Sequence, residues 1–207
     1  MTPIEKLPPP FKRFRKKGGV LKFAISHNCS GNHEEVLAAI RRVIPHRYDV
    51  DLKMIEGFGY HKISERKFFG DWYDYDRGNL VKKGWHTKSD GSTLVDPPLK
   101  RLDGVRIVSG ASAHPGPNDQ GQFAYAFCCP PYPLDGRPSE TQSLFEEIRD
   151  YILPPGELSQ IYDWGHPQLP KASQFFEAGS EWWGMFLWSV YIPSLQKLTV
   201  IAGSTTD

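Results

Sequence analysis

The feature that most constrains this chain lies near its C-terminus, where residues 185–192 read MFLWSVYI, an almost unbroken apolar run. After Pro193 and Ser194 a second apolar stretch follows over residues 198–202. A strand with one wet face alternates polar and apolar residues, whereas a continuous run marks a strand covered on both faces. The pair therefore predicts a hairpin inside a layered domain. It is too short to cross a membrane, which needs about 18 consecutive apolar residues or more, and no other stretch reaches that length. A chain of 207 residues buries roughly 70% of its unfolded surface, so it can hold a core without disulfides or metals. Twelve Phe, nine Tyr and six Trp exclude an intrinsically disordered chain. Three cysteines, two of them adjacent, cannot build a disulfide scaffold, and the expected compartment is a reducing cytoplasm.

The rest of the chain divides by its punctuation. Residues 1–19 read as a basic, Pro-rich N-terminal arm. Pro8, Pro9 and Pro10 favour an extended segment and disfavour helix. Lys12, Arg13, Arg15, Lys16 and Lys17 then surround Phe11 and Phe14, which suits a solvated arm. Residues 20–207 read as a single α+β domain. Residues 20–26 predict a strand. Asn32 and Glu35 have the spacing of a helix cap, and Val36, Leu37, Ile40, Val43 and Ile44 mark one helical face that Pro45 ends. Residues 50–55, 105–108 and 123–129 predict further strands, with a turn over residues 114–119 and a loop-rich stretch over 57–104. Ser139 and Gln142 open a second helix whose Leu144, Phe145, Ile148 and Ile152 share a side, and residues 172–179 predict a short third. The expected architecture is an antiparallel or mixed sheet with two main helices and long loops.

Sequence motifs for catalysis are weak. Gly110-Ala111-Ser112-Ala113 follows a predicted strand, but His114 stands where a nucleophile elbow has glycine. His27, Cys29 and His33 sit within one loop as zinc-type ligands, yet the adjacent Cys128 and Cys129 would point to opposite faces of a strand, so no fourth ligand is evident. Gly57-Phe58-Gly59 lacks the third glycine of a phosphate loop, and Glu177 and Glu181 share a helix face only if a helix runs through Gly179. No catalytic residue, metal or cofactor is expected. The alternative is a small zinc- or Cys/His-dependent hydrolase built on His27, Cys29 and His33.

Charge and aromatic content point instead to binding. The net charge is +1, with 19 Lys and Arg against 12 Asp and Glu in residues 1–100, and 6 against 12 in residues 101–207. Since the second half is not basic, nucleic acid is not expected as a partner. Residues 68–76, FFGDWYDYD, interleave Trp72, Tyr73 and Tyr75 with Asp71, Asp74 and Asp76. Tyr and Trp dominate interface hot spots, and carboxylates beside them suit a basic protein surface.

Residues 175–207, with Glu181-Trp182-Trp183-Gly184 at their centre, resemble the C-terminal end of the immunity protein 52 family of bacterial polymorphic-toxin immunity proteins. The resemblance implies an α+β protein that neutralises a cognate toxin, expected to be a nuclease, by stoichiometric binding without catalysis. Trp182, Trp183, Phe186 and Trp188 are expected in its core, because aromatics in an apolar run are usually buried. Specificity is a difference of affinities carried by surface loops. That assigns partner binding to Asp71, Trp72, Tyr73, Asp74, Tyr75 and Asp76, the aspartates facing basic toxin residues and the aromatics anchoring them. A component of a phage or secretion apparatus is the remaining reading, distinguished by self-assembly.

Overall fold

The computed structural model describes residues 1–111, 122–180 and 183–205. Its centre is a six-stranded sheet of β1 (Thr2–Pro3), β2 (Lys22–His27), β3 (His61–Ile63), β4 (Gln160–Asp163), β5 (Met185–Ile192) and β6 (Lys197–Ser204). Their spatial order is β1-β2-β6-β5-β4-β3, and every neighbouring pair is antiparallel. The predicted hairpin is β5–β6, in register from Met185 opposite Ser204 to Ile192 opposite Lys197. Period-two alternation then explains the apolar run. Trp188, Val190 and Ile192 enter one core, and Leu187 enters another with Leu198, Val200 and Ala202 of β6.

Helices cover both faces. α1 (Pro9–Lys16), α4 (Glu65–Phe69), α5 (Phe123–Cys128) and α6 (Pro138–Ile152) contribute to the first core. α2 (His33–Val43), α3 (Leu52–Phe58) and α7 (Leu169–Ala172) contribute to the second. The two longest, α2 and α6, are the two main helices that the apolar periodicity predicts, and they lie on opposite faces of the sheet. The chain is thus one α+β domain. Two smaller antiparallel sheets fill the stretch read as loops, one pairing Tyr73–Asp74 with Asn79–Leu80, the other placing Trp85–Lys88 between Thr93–Val95 and Ile107–Ala111.

Capping chemistry places α2 as expected, with the Asn32 side chain accepting from Glu35 N at 2.9 Å. Glu35 does not complete the capping box. Its carboxylate reaches further back, to Ser30 N at 2.8 Å and Gly31 N at 2.9 Å, and these bonds together with the Ser30 hydroxyl draw its pKa down against the opposing effect of burial.

Three expectations are corrected. Residues 123–129 form helix α5 and not a strand; Phe123, Ala124, Tyr125, Ala126 and Phe127 are all buried, and an apolar run buried all round carries no period that separates helix from strand. Residues 50–55 lead into α3, because the Asp51 side chain caps Met54 N at 2.9 Å. The prolines near the N-terminus start a helix where none was expected. Pro8 is the extended cap and Pro9 and Pro10 occupy the first turn, where no backbone N–H needs a partner. Phe11 and Phe14 are buried, so this segment is not solvated along its length. Its outer face meets α6, where Arg13 pairs with Glu147 and Lys17 with Glu140 at 2.7 Å. Part of the charge asymmetry between the halves is thereby neutralised internally. The turn expected over residues 114–119, with Ser112 before it, and Glu181 and Trp182 lie outside the described residues.

Candidate interaction surface

The segment 68–76 is fixed to the core before any of it can face a partner. Ser64 caps α4 by accepting from Lys67 N at 3.2 Å, and the helix drives Phe68 and Phe69 into the core. Gly70 ends it at φ +71°, a conformation that glycine adopts without strain. A Cβ there would collide with the Gln122 amide, whose oxygen accepts from Asp71 N at 3.1 Å. The bare glycine thus lets Gln122 latch the turn.

Of the six predicted partner-binding residues, the structure turns the tryptophan inward. Trp72 is 3% exposed and its ring meets Tyr125 edge-on at 5.2 Å. Tyr73 and Tyr75 are half-buried. The Tyr73 hydroxyl accepts from Arg149 Nη1 at 2.7 Å, and the Tyr75 hydroxyl donates to Glu65 Oε2 at 3.3 Å. Burial, and then the Glu65 carboxylate, push the Tyr75 phenol up, so it stays a neutral donor. The aromatics therefore act mainly as ties between the hairpin, α4 and α6.

The three aspartates divide as well. Asp74 closes the turn, accepting from Asp76 N and Arg77 N, each at 3.1 Å, and pairing with the Arg77 side chain at 3.1 Å. The hydrogen bond from Arg77 N is the main reason its carboxyl titrates below the usual range. Asp71 and Asp76 are exposed, and neither forms an ion pair among the described residues. Glu146 and Asp150 join this surface through Gln142 and Arg149, their neighbours on α6. The result is a surface of mixed charge in which the two carboxylates flanking the closed turn remain unpaired.

Gln142 has a role the sequence does not signal. Buried on α6, its side-chain oxygen accepts from Leu80 N at 2.8 Å, and its amide donates to Gly78 O at 3.3 Å and to Glu146 Oε1 at 2.7 Å. It takes no part in a capping box, since α6 begins at Pro138 and the Ser139 hydroxyl donates to Asp103. Gln142→Leu should leave Leu80 N–H buried without an acceptor and destabilise by about 1–3 kcal/mol. Urea denaturation would measure the loss, and an unchanged midpoint would refute this anchoring.

The alternative chemistry does not assemble. Cys29 is buried, its thiol faces the His27 carbonyl at 3.4 Å, and burial pushes its pKa up. His33 turns away to Glu56, with Nε2 to Oε1 at 2.7 Å. Burial likewise raises the thiols of Cys128 and Cys129, which end a helix and not a strand. Among the described residues, no group of three or more His, Cys, Asp or Glu is placed to hold a metal ion. Gly57 and Gly59 belong to the end of α3, where Gly59 caps Glu56 O. No helix among the described residues is long and apolar enough to cross a membrane.

Comparison with protein-family models, with curated proteins and with solved structures finds no match to this chain.

Proposed function

We propose that this protein is an immunity protein, a stoichiometric inhibitor that binds a cognate bacterial toxin with a nuclease domain in the cytoplasm. The observation that carries the reading is the pair of unpaired, exposed carboxylates, Asp71 and Asp76, held on a hairpin that Gln122, Gln142 and Arg149 tie to the core. A nuclease surface that binds phosphates is basic, and fixed, unpaired carboxylates both steer association and exclude partners of the wrong sign. Rigidity matters as much as charge, because a preordered surface loses less entropy on binding. In this reading Trp72 shapes the hairpin from inside, and contact falls to Asp71, Asp76 and the outer edges of Tyr73 and Tyr75.

The test is capture of the product of the neighbouring gene by the tagged chain during co-expression, followed by the variant D71K/D76K. Both residues are exposed, so circular dichroism and thermal unfolding should match the wild type. The association rate with the captured toxin should fall about tenfold or more, and steeply less so at high salt. Full protection and an unchanged rate in the variant would remove the acidic hairpin from the interface. Recovery of no stoichiometric partner would overturn the function itself.

A further inference from the structure

Away from this surface, three cations from separate elements converge on one open cavity of ≈ 680 Å³, lined by Arg15 in the last turn of α1, Lys22 at the start of β2 and Arg47 beyond α2. That size falls within the range of small-molecule sites, about 300–1,000 Å³. Among the described residues no acidic side chain lines the cavity, and none of the three cations forms an ion pair. The neighbouring cations of the same helix, Arg13 and Lys17, are paired instead, with Glu147 and Glu140 of α6.

Like charges gathered in one place repel, and Lys22 sits among them. Burial first, then Arg15 and Arg47, make its ammonium easier to deprotonate than usual. A bound anion relieves that repulsion. The opposite wall is aromatic and holds its cation in place. The Arg47 guanidinium lies 4.8 Å from the centre of the Tyr48 ring and donates to the Tyr48 hydroxyl at 3.0 Å, while Tyr48 meets the buried Phe175 edge-on at 5.8 Å. Guanidinium groups suit phosphate oxygens through paired N–H donors, and an aromatic wall suits a planar ring.

We propose that this cavity binds a small organic phosphate of the nucleotide class, with its phosphates on Arg15, Lys22 and Arg47 and its ring system against Tyr48 and Phe175. The site shares no residue with the acidic hairpin, so it stands or falls independently of toxin binding. Calorimetric titration of the full chain with ATP, ADP and inorganic pyrophosphate tests it, with a poly-glutamate peptide as the competing polyanion. ATP and ADP should bind, more tightly than pyrophosphate, and R15Q/R47Q should weaken both by about a hundredfold, since two charge-assisted contacts are lost. Both arginines are exposed; should the double variant fail to fold, R15Q alone should still weaken binding by about tenfold. Absence of nucleotide binding at millimolar concentration, affinity indifferent to the arginines, or pyrophosphate binding as well as ATP would overturn the proposal. Binding of the peptide as tight as that of ATP would overturn it in favour of an acidic protein segment.

Discussion

Trp188→Ala should destabilise the protein by about 3–5 kcal/mol, the range for emptying a large aromatic site that cannot collapse. The residue is 1% exposed in the middle of β5, opposite Ile201 on one side and Asp163 on the other. Its ring stacks on Phe186 at 5.1 Å and meets Phe68 and Phe123 edge-on at 5.6 and 6.1 Å. Neighbours held from a strand, from α4 and from α5 cannot all move inward together, so the cavity persists. Since domains are stable by only about 5–15 kcal/mol, the loss takes a large share of the whole. For a chain of this size each kcal/mol lowers the melting temperature by roughly 2–4 °C, so a fall of about 6–20 °C is expected. Trp85, 49% exposed on the three-stranded sheet, is the control, and its replacement by Ala should change stability by no more than about 0.5 kcal/mol. Equal effects at the two tryptophans would mean that the face of β5 carrying Trp188 is not buried.

The sequence announces the elements that bury one or two clean faces. β5 and β6 are legible because a run without polar residues needs cover on both sides, and α2 and α6 because their apolar residues recur at helical spacing. It is silent where burial is total or where the decisive partner lies far away. In α5 every side chain from Phe123 to Phe127 is buried, which erases the period that would distinguish helix from strand. In α1 three prolines read as a barrier, yet the first turn of a helix needs no donors, and the same residues start it. Of the small sheets between residues 73 and 111, the strand Ile107–Ala111 overlaps the stretch 105–108 that the sequence marks, whereas the other four strands have only two to four residues, too few for alternation to show.

The interaction surface divides in the same way. That residues 68–76 are special is visible in their composition. Which of their side chains turn inward is settled by Gln122, Gln142 and Arg149, at sequence separations of 51, 62 and 76 residues. Nothing local in FFGDWYDYD says that Asp74 will close the turn while Asp71 and Asp76 stay unpaired. The basic cavity is less legible still. Arg15 belongs in sequence to the run from Lys12 to Lys17, and only the packing of α1 against β2 and the loop beyond α2 separates it from that run and sets it beside Lys22 and Arg47.

Phe14→Ala separates the two readings of the N-terminus most sharply. A solvated arm would tolerate it within about 0.5 kcal/mol, as exposed positions do. In the fold, Phe14 is 1% exposed, lies parallel to Phe127 at 4.2 Å and meets Phe23 at 6.2 Å, which joins α1 to α5 and to β2. Gly19 completes the seat, because a Cβ at that position would strike the Phe14 ring. The expected loss is about 3–5 kcal/mol, measured as the shift in the urea midpoint at constant slope. Lys12→Ala, two residues away on the exposed side of the same helix, should leave the midpoint unchanged and so rules out a general effect on helix formation. Removal of residues 1–19 exposes the Phe23 and Phe127 surfaces together and should leave a chain that no longer unfolds cooperatively. A truncated chain with wild-type stability would show that α1 is an appendage and not part of the core.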